Sequence, residues 1–479
     1  MKMVKSLLLG SAAGLVAMTG AQAADLPVKA KAVQYVKICS LYGAGFYYIP
    51  GTDTCIKLGG FVRYENNWQA NGSFAVRMNG TTGTFTRTSN DVVTRARGVI
   101  TTDARSQTEY GTLRSYTAFG EQWTTGDATT AGSGAVTNMY RLFIQLGGFT
   151  AGRTASFFDL WDTPKYSNTT NVIASDTGGT GQNLIAYTFS FGNGLSASLS
   201  FEDPTMRRAG VANAAVATTF GSTGLVTGSY AGANWPDVVT NLRVDQAWGA
   251  AQIMGAIHAV TATYYGATQL ETNGHPNDEV GWAIGGGLNL NVPWAQGDTF
   301  SVQAAYTQGA LAYVAQGLAG GSALGNGLAV FNGQNVALGY ATDGVYGPTG
   351  SIELTSAWSV YAGIQHYWTP NLRTSLYGGY LALMYNANAT ALICGDLPGA
   401  HTGACNADWQ MFQIGSRTVF NPVANLDLSV DILYNRYQTA GLGSTVVLAP
   451  GNSKPTQAYT LTDEGVWQAM FRVQRNFYP

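Results

Sequence analysis

The sequence predicts an all-β chain, a 16-stranded antiparallel transmembrane β-barrel with long extracellular loops and an inward-folded third loop. Three observations carry that prediction. Charged and apolar residues alternate along stretches of about ten, and the connections between them alternate between tight turns and long polar loops. Beyond the N-terminus no apolar run reaches the roughly 18 residues of a membrane helix, so any membrane span must be a closed barrel.

The alternation is clearest in TRARGVITTDAR, residues 94–105, where Arg95, Arg97, Asp103 and Arg105 are separated by Ala96, Gly98, Ile100, Thr102 and Ala104. Two-residue spacing puts Arg95 and Arg97 on one side of a strand, whereas on a helix they would point about 200° apart. A soluble sheet would alternate in the same way, so context decides between a packed core and lipid. Part of that context is the N-terminus, which has Lys2 and Lys5, an apolar run from Leu7 to Met18, and Ala21-Gln22-Ala23. This is the pattern of a secretory signal cut after Ala23; the run is short for a retained helix and lacks a stop-transfer pattern. Residues 24–54 then form a periplasmic lead-in and residues 55–479 the barrel, with 158–182 as the constriction loop.

Cleavage would remove two lysines, leaving 23 of the 25 basic residues against 27 acidic ones. That balance implies no polyanion-binding surface and no nucleic-acid partner. The four cysteines fall as Cys39 with Cys55 and Cys394 with Cys405, which in an exported chain suits two loop-closing disulfides and fits no zinc spacing. No metal and no cofactor are expected. With 61 glycines, 26 tyrosines, 11 tryptophans and only 11% charged residues, the composition suits strands better than helices.

Sixteen candidate strands begin near residues 55, 92, 111, 138, 150, 183, 195, 237, 250, 279, 298, 351, 371, 408, 426 and 463. Tight turns such as Thr108 to Gly111, Gly192-Asn193-Gly194, Trp248-Gly249, Thr369-Pro370-Asn371 and Asn421-Pro422 alternate with eight long loops. Facing assignments agree from strand to strand. Tyr140, Leu142, Ile144 and Leu146 are expected to meet lipid, with Arg141 and Gln145 inside; Leu242 and Val244 oppose Arg243 and Asp245. In the last strand Trp467, Ala469, Phe471 and Val473 oppose Gln468, Arg472 and Gln474. Arginines would be severely penalised in a packed core but are solvated in a wet lumen. Trp248, Trp294 and Trp368 by short turns, and Trp123, Trp282, Trp409 and Trp467 near the other strand ends, read as two aromatic girdles.

A barrel of this size holds water unless a segment folds in. The candidate is the stretch after Arg153, which joins an apolar anchor, Phe157, Phe158, Leu160 and Trp161, to the acids Asp159, Asp162 and Asp176. Folded inward, those acids would face a wall bearing Arg63, Arg95, Arg97, Arg114, Arg141 and Arg153. A strand simply running on to Trp161 is the plainer alternative.

VQYVKICSLYGAGFYYIPGTDTCIKLGGFVRYE, residues 33–65, resembles the opening segment of the general porins of rhizobia and related alphaproteobacteria, as do GRTASFFD at 152–159 and the last strand. The resemblance spans the mature chain. It implies a homotrimeric diffusion channel whose third loop narrows the pore, with Asp159, Asp162 and Asp176 opposite Arg95, Arg97, Arg114, Arg141 and Arg153. Lipopolysaccharide, outer-membrane lipid and the barrel-assembly machinery follow as partners, and the bacterial outer membrane as the location. One departure is the C-terminus, where Phe477, the expected terminal membrane aromatic, is followed by Tyr478 and Pro479.

The expected activity is passive diffusion of ions and small hydrophilic solutes. The four histidines, His258, His275, His366 and His401, suggest no catalytic triad, so no enzyme and no catalytic residue are expected. Two other readings compete. In a sugar-type channel Trp161, Tyr166 and Tyr116 would form an aromatic slide, and in an adhesin or receptor the long loops would bind a surface. Ion preference stays open, since an arginine-rich lumen faces an acidic loop.

Overall fold

The computed structural model describes residues 37–68, 91–124, 135–161, 163–169, 173, 175–178, 181–215, 230–318, 327–396, 405–448 and 454–477. The signal segment, Asp162 and the final Tyr478-Pro479 lie outside the described residues. Sixteen strands form the wall: β1 Cys55–Trp68, β2 Val92–Thr108, β3 Gly111–Thr124, β4 Ala135–Leu146, β5 Phe149–Thr154, β6 Gln182–Gly192, β7 Leu195–Glu202 and β8 Asp237–Gln246. They continue as β9 Gly249–Val260, β10 Glu279–Asn291, β11 Thr299–Gln308, β12 Ser356–Thr369, β13 Leu372–Met384, β14 Trp409–Phe420, β15 Leu426–Gln438 and β16 Glu464–Asn476. Each pairs antiparallel with the next, and β16 pairs back onto β1 from Phe61↔Asn476 to Trp68↔Ala469. Closure leaves no strand edge unpaired, which lipid requires.

The two-residue period sorts the side chains. Leu242, Ile253, Ile284, Ile414 and Trp467 stand exposed on the outside, while Glu65, Asn435, Asp431 and Gln468 are buried within the wall's inner face. Leu142 and Ile144 are outside as expected, but Tyr140 is not. The register of β3 with β4 slips between Ala118↔Arg141 and Phe119↔Met139, so a bulge at Tyr140 reverses its facing. Its ring lies under the Arg97 guanidinium, 5.6 Å away, on the lumen side. Trp409 also departs from the girdle. It is buried inward, donating Nε1–H to the Tyr340 carbonyl at 2.5 Å, whereas Trp68, Trp123, Trp282, Trp358 and Trp467 are exposed near the long-loop end.

The long loops pack into a second layer. Between β11 and β12 a hairpin, Gly327–Asn332 with Asn335–Tyr340, joins the segments Gln457–Leu461 and Thr445–Leu448 in a small four-stranded sheet. Val336, Leu338, Tyr459 and Leu461 are its buried core. Among the described residues one α-helix, α1 Ala387–Asp396, is capped by Asn386, whose Oδ1 accepts from Ala389 N–H at 2.8 Å. The disulfide Cys394–Cys405 staples α1 to the approach of β14, and Cys39–Cys55 closes the lead-in onto β1.

Candidate functional site

The segment between β5 and β6 touches the inner face of most of the barrel. Phe157 O accepts from Asn241 on β8 at 2.7 Å, and Lys165 Nζ donates to Asn289 on β10 at 2.5 Å and to Ser301 on β11 at 3.2 Å. Arg417 on β14 donates to the carbonyls of Pro164, Lys165 and Ser167. Asn168 N–H meets Asp431 on β15, while Arg472 on β16 donates to Asn168 Oδ1 at 2.9 Å. Contacts spread over so many inward residues set the described part of this loop against the inner face of the wall rather than along a lengthened strand.

The aromatic anchor explains why it folds there. Phe158, Leu160, Trp161, Tyr166 and Ile173 are buried in one continuous cluster with wall and loop residues. Phe158 packs edge-on to Tyr313 at 4.8 Å, and Trp161 stacks on Tyr361 at 5.1 Å. The wall makes room with glycines: a Cβ on Gly287 would come 2.7 Å from Leu160, and one on Gly363 would overlap the Tyr166 ring. Burying these side chains contributes roughly 1.5–3 kcal/mol each, which offsets part of the loop's ordering entropy.

Of the loop's expected acids, Asp162 lies outside the described residues, and Asp159 turns to an arginine that was not among the six expected. The Asp159 side chain is only 3% exposed and pairs with Arg207 at 2.9 Å, while also accepting from Ser175 and Thr177. Its charge therefore ties this loop to the next long loop, between β7 and β8, while the Ser175 and Thr177 bonds hold its own turn. Asp176 is buried and accepts from Gly178 N–H at 2.7 Å. Of the expected wall residues, Arg141 reaches the loop, donating to Gly178 O at 2.7 Å.

The other arginines are ordered by residues directly opposite them on neighbouring strands, as cross-strand pairing leads one to expect. Arg95 faces Glu65 in register and donates to it at 2.6 Å. Arg97 bonds its partner Gln122 at 2.5 and 3.0 Å, Arg63 its partner Gln474 at 2.7 Å, and Arg114 its partner Gln145 at 3.1 Å. Glu65 also accepts from Arg472 at 2.8 Å, and Asp103 is clamped by both Arg105 and Arg114. Arg153 has no side-chain partner among the described residues. Glu65, Arg207 and Arg417 take part in this arrangement and were missed by a reading of single stretches, whereas Asp103 and Arg472 were read only as inward-facing; the strand register, once drawn, would have exposed the Glu65 pairs.

Two further expectations change. Trp161 and Tyr166 are packed between loop and wall, so they do not line a slide; Tyr116 stacks instead on Phe143 at 5.2 Å, beneath Arg114. The scattered histidines do gain acids: His258 is 2.7 Å from Asp237 and 3.1 Å from the Tyr230 hydroxyl. His258 and Asp237 are wholly buried, however, which suits an anchor for the long loops rather than a reaction centre.

Between β1 and β5 the inner face of the wall thus presents arginines, with the folded loop against the remaining wall. A closed barrel that is greasy outside, charged inside and crossed by one loop defines a channel of the bacterial outer membrane. Residues 25–470 match the family model of the porin subfamily, and the chain belongs to that family, in its alphaproteobacterial branch. It is 31% identical over 350 residues to porin Omp2b of Brucella suis, covering 63% of this chain and 84% of that one. Porin Omp2a of Brucella melitensis is 35% identical over 231 residues, covering 42% and 56%. Among solved structures, the outer membrane channel DcaP of Acinetobacter baumannii shares the fold at 15% identity, with a TM-score of 0.54 over 90% of this chain and 99% of that one.

Proposed function

We propose that the narrowest part of this outer-membrane porin lies between its inward loop and the arginine wall of β1–β5, and that ions and small hydrophilic solutes cross it by passive diffusion with a preference for anions. The observation that carries the reading is the pairing of Asp159 with Arg207. With that acid neutralised, the field over the open side comes from Arg63, Arg95, Arg97, Arg114, Arg141 and Arg153, offset by Glu65 and Asp103. A unit charge acting over about 10 Å is worth ~0.4 kcal/mol in bulk water and ~1.7 kcal/mol at an effective dielectric constant of 20, screened beyond about 8 Å. Such energies bias a flux by a few-fold; they do not hold a ligand.

A homotrimer, annular lipopolysaccharide and folding by the barrel-assembly machinery accompany this reading, as does the absence of a catalytic step. The buried positions of Trp161 and Tyr166 weigh against a sugar slide. Reconstitution into planar bilayers under a salt gradient is the test. Stepwise conductance that rises linearly with salt, and a reversal potential on the anion side, are expected; salt-tight bilayers would refute the channel, and a cation-side potential would refute the assigned constriction.

A further inference from the structure

The most distinctive stretch of the sequence has no part in the loop or in the arginine wall. Its described residues form a hairpin tied to the start of β1. Cys39 N–H donates to Phe46 O at 2.9 Å, Tyr48 N–H donates to Lys37 O at 2.8 Å, and Tyr47 and Tyr48 pair with Ile56 and Cys55. The Cys39–Cys55 disulfide closes the unit across 16 positions. Gly43 and Gly45, at φ of 96° and 86°, supply the left-handed turn that brings the strands of the hairpin together.

Its side chains point to the lumen face of the wall. Arg105 lies 5.0 Å from the Phe46 ring and 5.7 Å from that of Tyr42, and Lys57 donates to Ala44 O at 3.3 Å. Lys57 and Arg105 share the inward parity of Arg63 and Asp103, opposite the exposed Leu58, Val62 and Ile100. The hairpin therefore sits in the short-turn mouth of the barrel, against β1–β3. Between it and the wall lies a cavity of about 410 Å³ lined by Tyr42, Phe46, Lys57, Asp103, Arg105 and Tyr116 among others. The Asp103 carboxylate, shared by Arg105 and Arg114, cannot offset both guanidiniums and Lys57 together, so the cavity keeps a positive balance.

We propose that this stapled hairpin is a second filter, at the periplasmic mouth and in series with the inward loop, with Tyr42, Phe46, Lys57 and Arg105 as its specificity-determining residues. It rests on the channel reading above. Aromatic faces restrict the width of the path, and the cationic balance favours small anions over cations of equal size. The hairpin hangs from β1 by a disulfide and a two-residue strand pairing, so its position is covalently fixed while the barrel needs none of it for closure.

Two variants of the full-length channel in planar bilayers test it. Ala44→Glu places an acid on the exposed turn of the hairpin with little demand on folding; the reversal potential is expected to move toward cations. The double variant Tyr42→Ala/Phe46→Ala is expected to raise single-channel conductance and admit larger neutral polymers from the short-turn side. An Ala44→Glu channel with the reversal potential of the unaltered protein overturns the proposal, as does a folded double variant, shown by heat-dependent gel mobility, with unchanged conductance. Failure of the unaltered protein to conduct would instead overturn the channel reading.

Discussion

Glu65 is the residue on which the charged wall converges. It accepts from Arg95 at 2.6 Å and from Arg472 at 2.8 Å, lies 3.7 Å from Arg63, and is itself fully buried. Removing one partner of such a group leaves an uncompensated charge and typically costs about 3–5 kcal/mol. Glu65→Gln should therefore lower the temperature at which the barrel loses its compact gel mobility, while Arg153→Gln, with no side-chain partner among the described residues, should leave it unchanged. Lys165 gives the pH dependence. Burial lowers its ammonium from the usual lysine range to about 8, so the positive charge is present below that value and is lost as pH rises through it. Anion preference is expected to weaken across that window and to become flat there in Lys165→Met; an identical pH profile in the variant would show that the Lys165 charge does not act on the solute path. Side by side, these residues were only partly legible in the sequence. Strand parity placed Arg95, Arg97, Arg114 and Arg141 on the lumen face, but Tyr140 was turned over by a bulge that no composition signals. Asp159 found Arg207, 48 positions away, through loop folding that has no period to read.

The inward loop is held as an element by shape as much as by charge. Its aromatic anchors fill hollows left by glycines in the wall, so a side chain at the wall position should expel the loop. In Gly363→Leu the new atoms would claim the volume of the Tyr166 ring. The expected outcome is higher conductance and faster proteolytic cutting between residues 158 and 182, with the barrel's protease-resistant core retained; a loop as resistant as before would show that Tyr166 does not pin it. Phe158→Ala acts on the same docking from the other side, removing the edge contact with Tyr313. Large-to-small changes at buried aromatics cost about 3–5 kcal/mol. The sixteen strands were legible because each carries its own two-residue period. The layer built by the hairpin at 327–340 and the strands at 445–448 and 457–461 was not, since its order comes from contacts between loops distant in sequence.

Across the barrel, sixteen strands closed by β1 and β16 separate hydrocarbon from a charged interior, and the family relationship agrees with that division. The loops at one end pack into a shared core and the stapled hairpin occupies the other, and the route proposed for solutes runs along the β1–β5 wall. What the sequence alone left open, the direction of ion preference, turns on that asymmetry: Asp159, one of the acids expected opposite the arginines, is paired with Arg207 of the next long loop.

Whether the arginine wall borders the water path is decided by the reversal potential of Arg97→Ala beside the unaltered channel, in the same salt gradient. Arg97 is held by Gln122 and Tyr140, both on the wall, so its loss should leave heat-resistant gel mobility intact. The potential is expected to shift toward cations. An unchanged potential in a folded, conducting variant would contradict the placement of the wall beside the water.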